Sequence, residues 1–139
     1  MSKLSGFKDA LSANSVPGDP GLICFVPCDI AKTRDLLLEL YKTKLFDAIV
    51  CSEDQLAVGA VKFAKKLGLK VPEDIQITGY NNSILSSCTD PEITSIDNHV
   101  EALSATAVSN LMHVLEKTKV PNKTILSNEI IWRETTGRK

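Results

Sequence analysis

The chain has 139 residues, enough for one compact domain and tight for two. Hydrophobic residues make up 43% and charged residues 24%, with 7 Gly and 6 Pro, a globular composition well short of the Pro/Gly content of disordered chains. Sixteen Lys and Arg against 17 Asp and Glu leave a net charge of −1, which excludes an autonomous nucleic-acid binder with its basic surplus and a polybasic membrane face.

Residues 3–14 read as a short helix, because Leu4, Phe7, Ala10 and Leu11 fall on one face. Val16-Pro17-Gly18-Asp19-Pro20 is a loop. Leu22-Ile23-Cys24-Phe25-Val26 is apolar throughout and predicts a strand buried on both faces. Asp29 is placed to cap a helix carrying Leu36, Leu37, Leu40 and Tyr41. Phe46 to Cys51 predicts the next strand. Ser52-Glu53-Asp54-Gln55 has the form of a capping box, with Ser52 as cap, and opens a helix that stops at Gly68.

Val71-Pro72-Glu73-Asp74 is a turn, and Ile75 to Tyr80 a strand. Residues 81–91 read as irregular or weakly helical, and Ile93-Thr94-Ser95-Ile96 as a short strand. Asn98 is the expected cap of a long helix striped with Val100, Leu103, Ala107, Leu111 and Val114, and Ile125 to Trp132 closes the chain as a strand pair or bent strand. Strands alternating with helices, with apolar strands, predict an α/β fold: three layers, α/β/α, around a mostly parallel sheet with right-handed crossovers.

The four cysteines, Cys24, Cys28, Cys51 and Cys88, form no Cys-x-x-Cys pair. Three lie in or beside apolar runs and read as buried, reduced thiols. His99 and His113 show no ligand spacing, so no metal site and no cofactor is expected. No apolar run nears the ~20 residues of a membrane span. The N-terminus, Met1-Ser2-Lys3-Leu4-Ser5-Gly6, has no apolar leader. Reduced thiols without a leader point to the cytoplasm.

Parallel sheets bind ligands beyond the carboxyl ends of their strands. Those exits carry Pro27-Cys28-Asp29, Ser52-Glu53-Asp54, Asn81-Asn82 and Asp97-Asn98, groups that exchange hydrogen bonds with a polyhydroxylated ligand. The same residue types also favour caps and turns, so the pattern fits both a binding edge and a row of caps. Dinucleotide, P-loop, zinc-protease and nucleophile-elbow motifs are missing. Glu53 and Asp54 are adjacent, and neighbours on a helix do not face each other as an acid/base pair. The chain does not read as an enzyme.

Several segments carry a resemblance. Phe46 to Ala60 (Phe46-Asp47-Ala48-Ile49-Val50-Cys51-Ser52-Glu53-Asp54-Gln55-Leu56-Ala57-Val58-Gly59-Ala60), the stretch from Leu67 to Asn82, Pro91-Glu92-Ile93-Thr94-Ser95-Ile96, Trp132-Arg133-Glu134-Thr135-Thr136-Gly137 and Gly6-Phe7-Lys8-Asp9-Ala10-Leu11 resemble, in order, the lactose/galactose-repressor (LacI/GalR) family. The resemblance spans roughly residues 2–137. It implies the C-terminal part of an effector-binding core, a type I periplasmic-binding-protein-like subdomain. It further implies that residues 1–139 form that subdomain, that the helix at about 99–118 crosses to a first subdomain, and that this first subdomain and a DNA-binding helix-turn-helix lie outside the chain.

The implied function is to sense a small effector, sugar-like by family default, and to dimerise within a transcriptional regulator. Operator DNA would be bound only through the N-terminal domain, with no membrane partner. A periplasmic sugar-binding protein of a transporter is the alternative. Carried over residue by residue, the family's effector-binding positions fall on Lys3, Ile30, Glu53, Asp54, Asn81 and Asn98. Three depart from the family pattern: Lys3 replaces an Arg and lacks its bidentate fork, Ile30 replaces a stacking aromatic, and Asn81 replaces an Asp while Glu53 puts an acid one strand away. Without the first subdomain, the stripe on the long helix would be left uncovered, which predicts that the helix folds back or pairs with a second copy.

Overall fold

The computed structural model describes residues 2–137. Helix α1 (Lys3–Ala13) is capped by the Ser2 hydroxyl, which accepts from the Ser5 N–H at 3.1 Å. A 3₁₀ turn follows at Pro20–Leu22, then α2 (Ile30–Tyr41), β1 (Ala48–Val50), α3 (Asp54–Leu67), β2 (Gln76–Tyr80), α4 (Ile84–Ser87), β3 (Thr94–Asp97), α5 (Val100–Leu115) and β4 (Glu129–Ile131). The sheet order is β1-β2-β3-β4. The first three strands are parallel, and β4 returns antiparallel to β3 with Asp97 opposite Glu129. This is the predicted mostly parallel α/β sheet.

The core lies between the sheet and α3. Ala57, Ala60, Phe63 and Ala64 are fully buried on the helix, facing Ile75, Ile77 and Ile93. Tyr41, Phe46 and Phe63 form an edge-to-face cluster, with Tyr41 5.0 Å from Phe46 and 5.4 Å from Phe63 between ring centres. Such contacts add to the hydrophobic gain from burying the rings. Helix α2 packs on α3 so closely that a Cβ on Gly59 would stand 2.8 Å from the Ile30 carbonyl oxygen and 2.7 Å from Cβ of Thr33. Side chains alternate across each strand. Ile77 and Gly79 turn to α3 and are buried, while Thr78 and Tyr80 are half-buried on the opposite face.

Four expectations need correction. The first concerns Leu22 to Val26, which is no strand. Asp19 accepts from the Gly21 N–H and starts a 3₁₀ turn, and the chain then runs on unpaired, with Phe25 85% exposed. β1 is therefore an edge strand, and its Val50 is exposed rather than covered on both faces. The cysteines change with it: Cys51 alone is buried, and Cys24, Cys28 and Cys88 are exposed.

The capping box on Ser52 does not form. Glu53 is the N-cap residue, and Gln55 instead donates to the Cys28 carbonyl at 3.0 Å. A tertiary partner displaces the local one. Likewise His99, not Asn98, caps α5. His99 has φ 51°, and its N–H is held by Asp97 at 2.7 Å.

Helix α5 contains no buried residue, and Val100, Leu103, Leu111 and Val114 are about half exposed. It does not fold back on the body of the same chain. Among the described residues, no helix is long and apolar enough to cross a membrane.

Candidate effector-binding wall

The carboxyl ends of β1, β2 and β3 deliver their polar residues to one connected hydrogen-bond chain. Lys3, at the start of α1, donates from Nζ to the Ser52 carbonyl at 2.8 Å and to Glu53 Oε1 at 3.0 Å. The same ammonium sits 3.9 Å over the centre of the Tyr80 ring, a cation–π contact that fixes α1 against the open face of the sheet. Glu53 accepts from the Asn81 side-chain amide through Oε2. Asn81 in turn accepts, through Oδ1, the Asn98 amide at 3.0 Å. The Glu53 carboxylate fixes which way Asn81 is turned, and Asn81 fixes Asn98. This leaves Asn98 Oδ1 buried without a hydrogen-bond partner among the described residues, a costly state for an amide oxygen.

The structure thus brings Lys3, Glu53, Asn81 and Asn98 together on one wall. Ile30 goes elsewhere, packing as a partly buried side chain against the hydrophobic core below α2. Asp54 is only 2% exposed, so its carboxylate lies beneath the wall rather than on it. Its Oδ1 accepts from Ser95 Oγ at 2.6 Å, and its Oδ2 accepts from the Ser83 N–H at 2.6 Å and the Ser83 hydroxyl at 2.8 Å.

Sequence reasoning missed three contributors. Tyr80 is the last residue of β2, and attention fell on the residues after each strand. Arg133 reaches back from beyond β4 to donate to Asn82 Oδ1 at 2.6 Å and to the Ile93 carbonyl at 2.9 Å. Ser95 is a buried hydroxyl inside a segment that read only as a short strand. Alternation along β3 held the signal for Ser95, since a polar residue on the inward face must find a partner.

The His99 N–H and the Asn82 side-chain amide both donate to Asp97, and they hold its carboxyl below the usual carboxylate range. Asp97, His99 and Glu129 bring ligand-type atoms within 4.8 Å of one another. Glu129 is exposed and both Asp97 oxygens already accept hydrogen bonds, so the grouping closes the β3 turn and lacks the further donors of a cation cage. Burial pushes the Cys51 thiol up to about 12, with the nearby Asp54 charge acting in the same direction.

The wall has no nucleophile paired with a base. Its chemistry is donor and acceptor recognition: one ammonium, one carboxylate and two amides at the carboxyl edge of the parallel strands.

Comparison with known proteins agrees with this architecture. The periplasmic-binding-protein-like domain family matches residues 4–136. An HTH-type transcriptional regulator from Lachnoclostridium phytofermentans is 50% identical over 138 residues, covering 99% of this chain and 41% of that protein. The crystal structure of the transcription regulator CcpA of Lactococcus lactis superposes with a TM-score of 0.87 at 28% identity, over 96% of this chain and 49% of that one. A sugar-binding transcriptional regulator of the LacI family from Escherichia coli, complexed with phosphate, gives 0.84 at 26% identity, over 96% and 48%. The chain therefore spans less than half the length of these relatives, which are transcriptional regulators. The match along nearly its whole length, and the regulators that share it, show that the chain belongs to the periplasmic-binding-protein-like domain family in its LacI/GalR-regulator form.

Proposed function

We propose that the chain recognises a small, neutral, polyhydroxylated effector, a sugar or sugar derivative, for a LacI/GalR-type transcriptional regulator. The observation that carries this reading is the Lys3–Glu53–Asn81–Asn98 chain of hydrogen bonds at the carboxyl edge of the sheet. Lys3 and Glu53 cancel in charge, and the amides offer both donors and acceptors, which suits hydroxyl groups better than an ion. The sugar-binding regulator among the similar structures supports the same ligand class. The transporter alternative is not favoured, because the named relatives are regulators.

The regulator would act as a homodimer in the cytoplasm. Effector closure of two lobes would alter how a separate helix-turn-helix domain engages operator DNA, a coupling typically of about 1–3 kcal/mol. Helix α5, with no buried residue and an apolar surface, would be covered by the first lobe of that core. The domain would carry no cofactor and catalyse no reaction.

Isothermal calorimetry with a panel of neutral mono- and disaccharides tests the assignment. The full regulator that contains this chain should bind one class of sugar, and Glu53→Gln and Asn81→Ala should each weaken that binding about tenfold, the loss of one charge-assisted hydrogen bond. Unchanged affinity in both variants, or no binding by any sugar, would sink the reading.

A further inference from the structure

We propose that Asp54 is the positioning residue of the wall: acting through Ser95 and Ser83, it holds Asn81 and Asn82 in the left-handed backbone that aims the Asn81 side chain at Glu53. The inference rests on the reading that Glu53 and Asn81 face the effector. Asp54 itself is buried and touches none.

Asn81 has φ 96° and Asn82 φ 47°. A non-glycine residue there is uncommon and strained, although Asn tolerates it better than most, and two in succession persist only where the surroundings hold them. The three successive N–H groups of this loop show what holds it. Asn81 N–H donates to the Ile96 carbonyl at 2.9 Å. Asn82 N–H donates to Ser95 Oγ at 3.0 Å, and that hydroxyl donates onward to Asp54 Oδ1 at 2.6 Å. Ser83 N–H donates directly to Asp54 Oδ2 at 2.6 Å. Two of the three therefore end on one carboxylate.

The carboxylate is built in rather than incidental. It is 2% exposed and belongs to none of the ion pairs among the described residues. Only the N-terminus of α3 and its hydroxyl and N–H donors offset the cost of burying it. A Cβ at position 79 would collide with Asp54 Oδ1, so Gly79 clears the space just before the loop bends. Helix α3 itself would be equally served by an exposed acid in its first turn. The buried placement instead joins three segments of the wall: Glu53 precedes it in the chain, Ser83 follows Asn81 by two residues, and Ser95 stands three residues before Asn98.

Nuclear magnetic resonance of the labelled chain tests this. Ser95→Ala should speed hydrogen exchange of the Asn82 N–H about tenfold and return the Asn81 side-chain amide signals toward those of a free amide. The ring signals of Phe63 and Tyr41 should stay in place. Asp54→Asn should do the same more strongly, because its amide would set a donor against the Ser83 N–H. Unmoved Asn81 signals in Ser95→Ala overturn the proposal, even where Asp54→Asn fails to fold. Sugar calorimetry on Glu53→Gln separates the two readings: affinity unchanged there, with Asn81 displaced in Ser95→Ala, removes the effector assignment and leaves the positioning role standing.

Discussion

Gly59→Ala decides between two effects of opposite sign. In the interior of a helix, alanine is favoured over glycine by about 1 kcal/mol, so the substitution would ordinarily stabilise α3. At this position the added methyl would stand 2.7 Å from Cβ of Thr33 and 2.8 Å from the Ile30 backbone oxygen. The oxygen belongs to the first turn of α2, and α2 must move as a unit to relieve the clash. Forcing extra volume into a packed contact costs about 1–3 kcal/mol, so the clash outweighs the propensity and the net effect is a loss of about 1 kcal/mol. Gly6→Ala is the matched control. It is also helical, but a Cβ there meets nothing within 4 Å, so the propensity term acts alone and stability is unchanged or rises by up to about 1 kcal/mol. Urea unfolding followed by circular dichroism reads both, with a slope of about 1–3 kcal/mol per molar. The midpoint should fall by roughly 0.5 M for Gly59→Ala. A rise at Gly59 equal to that at Gly6 would refute the close approach of α2 and α3.

Phe63→Ala empties the centre of the aromatic cluster and should cost about 3–5 kcal/mol, a large part of the stability of a small domain. Thermal denaturation should place it far below wild type. Alkylation of the folded chain near pH 8 should label Cys24, Cys28 and Cys88 first. Cys51, with its thiol pushed up to about 12, has only about one molecule in ten thousand as reactive thiolate there. Equal labelling of all four would contradict its burial. The same group makes stability pH-dependent: the folded state holds the Cys51 proton more tightly than the unfolded chain does, so its contribution is complete below pH 9.0 and fades as pH climbs toward about 12.

Most elements could be read from local pattern because local pattern also decides them. The stripe on α3, the stop at Gly68 and the cap at Asp29, which accepts from the Lys32 N–H at 2.8 Å, depend on neighbours a few residues away. The failures share a different cause. Leu22 to Val26 has strand composition, yet a strand needs a partner, and no apolar run states whether an edge is available. Ser52 and Asn98 have the chemistry of caps, but Gln55 and Asn98 found partners 27 and 17 residues away. Asp54 was read by its neighbour: residues 53 and 54 are alike in type, and only the turn into α3 sends one to the wall and the other beneath it. The resemblance to known regulators placed Lys3, Glu53, Asn81 and Asn98 together. It did not foresee that Ile30 would join the core.

The departures from the family pattern become coherent once the contacts are known. The resemblance implies an acid after β2. Here the acid is Glu53, at the exit of β1, and Asn81 stands after β2, with its amide donating to the Glu53 carboxylate. This placement carries the carboxylate toward α1, where Lys3 meets it at 3.0 Å. A lysine suffices in that role because its ammonium acts as a point charge, donating to the Ser52 carbonyl and to Glu53 and sitting over the Tyr80 ring. Both Lys3 and Glu53 remain more than a third exposed, so their pairing adds little to stability. On the proposed reading its effect is on recognition: an ammonium and a carboxylate already matched to each other would leave a neutral wall, and a charged ligand would have to break that pair before it gained a new one.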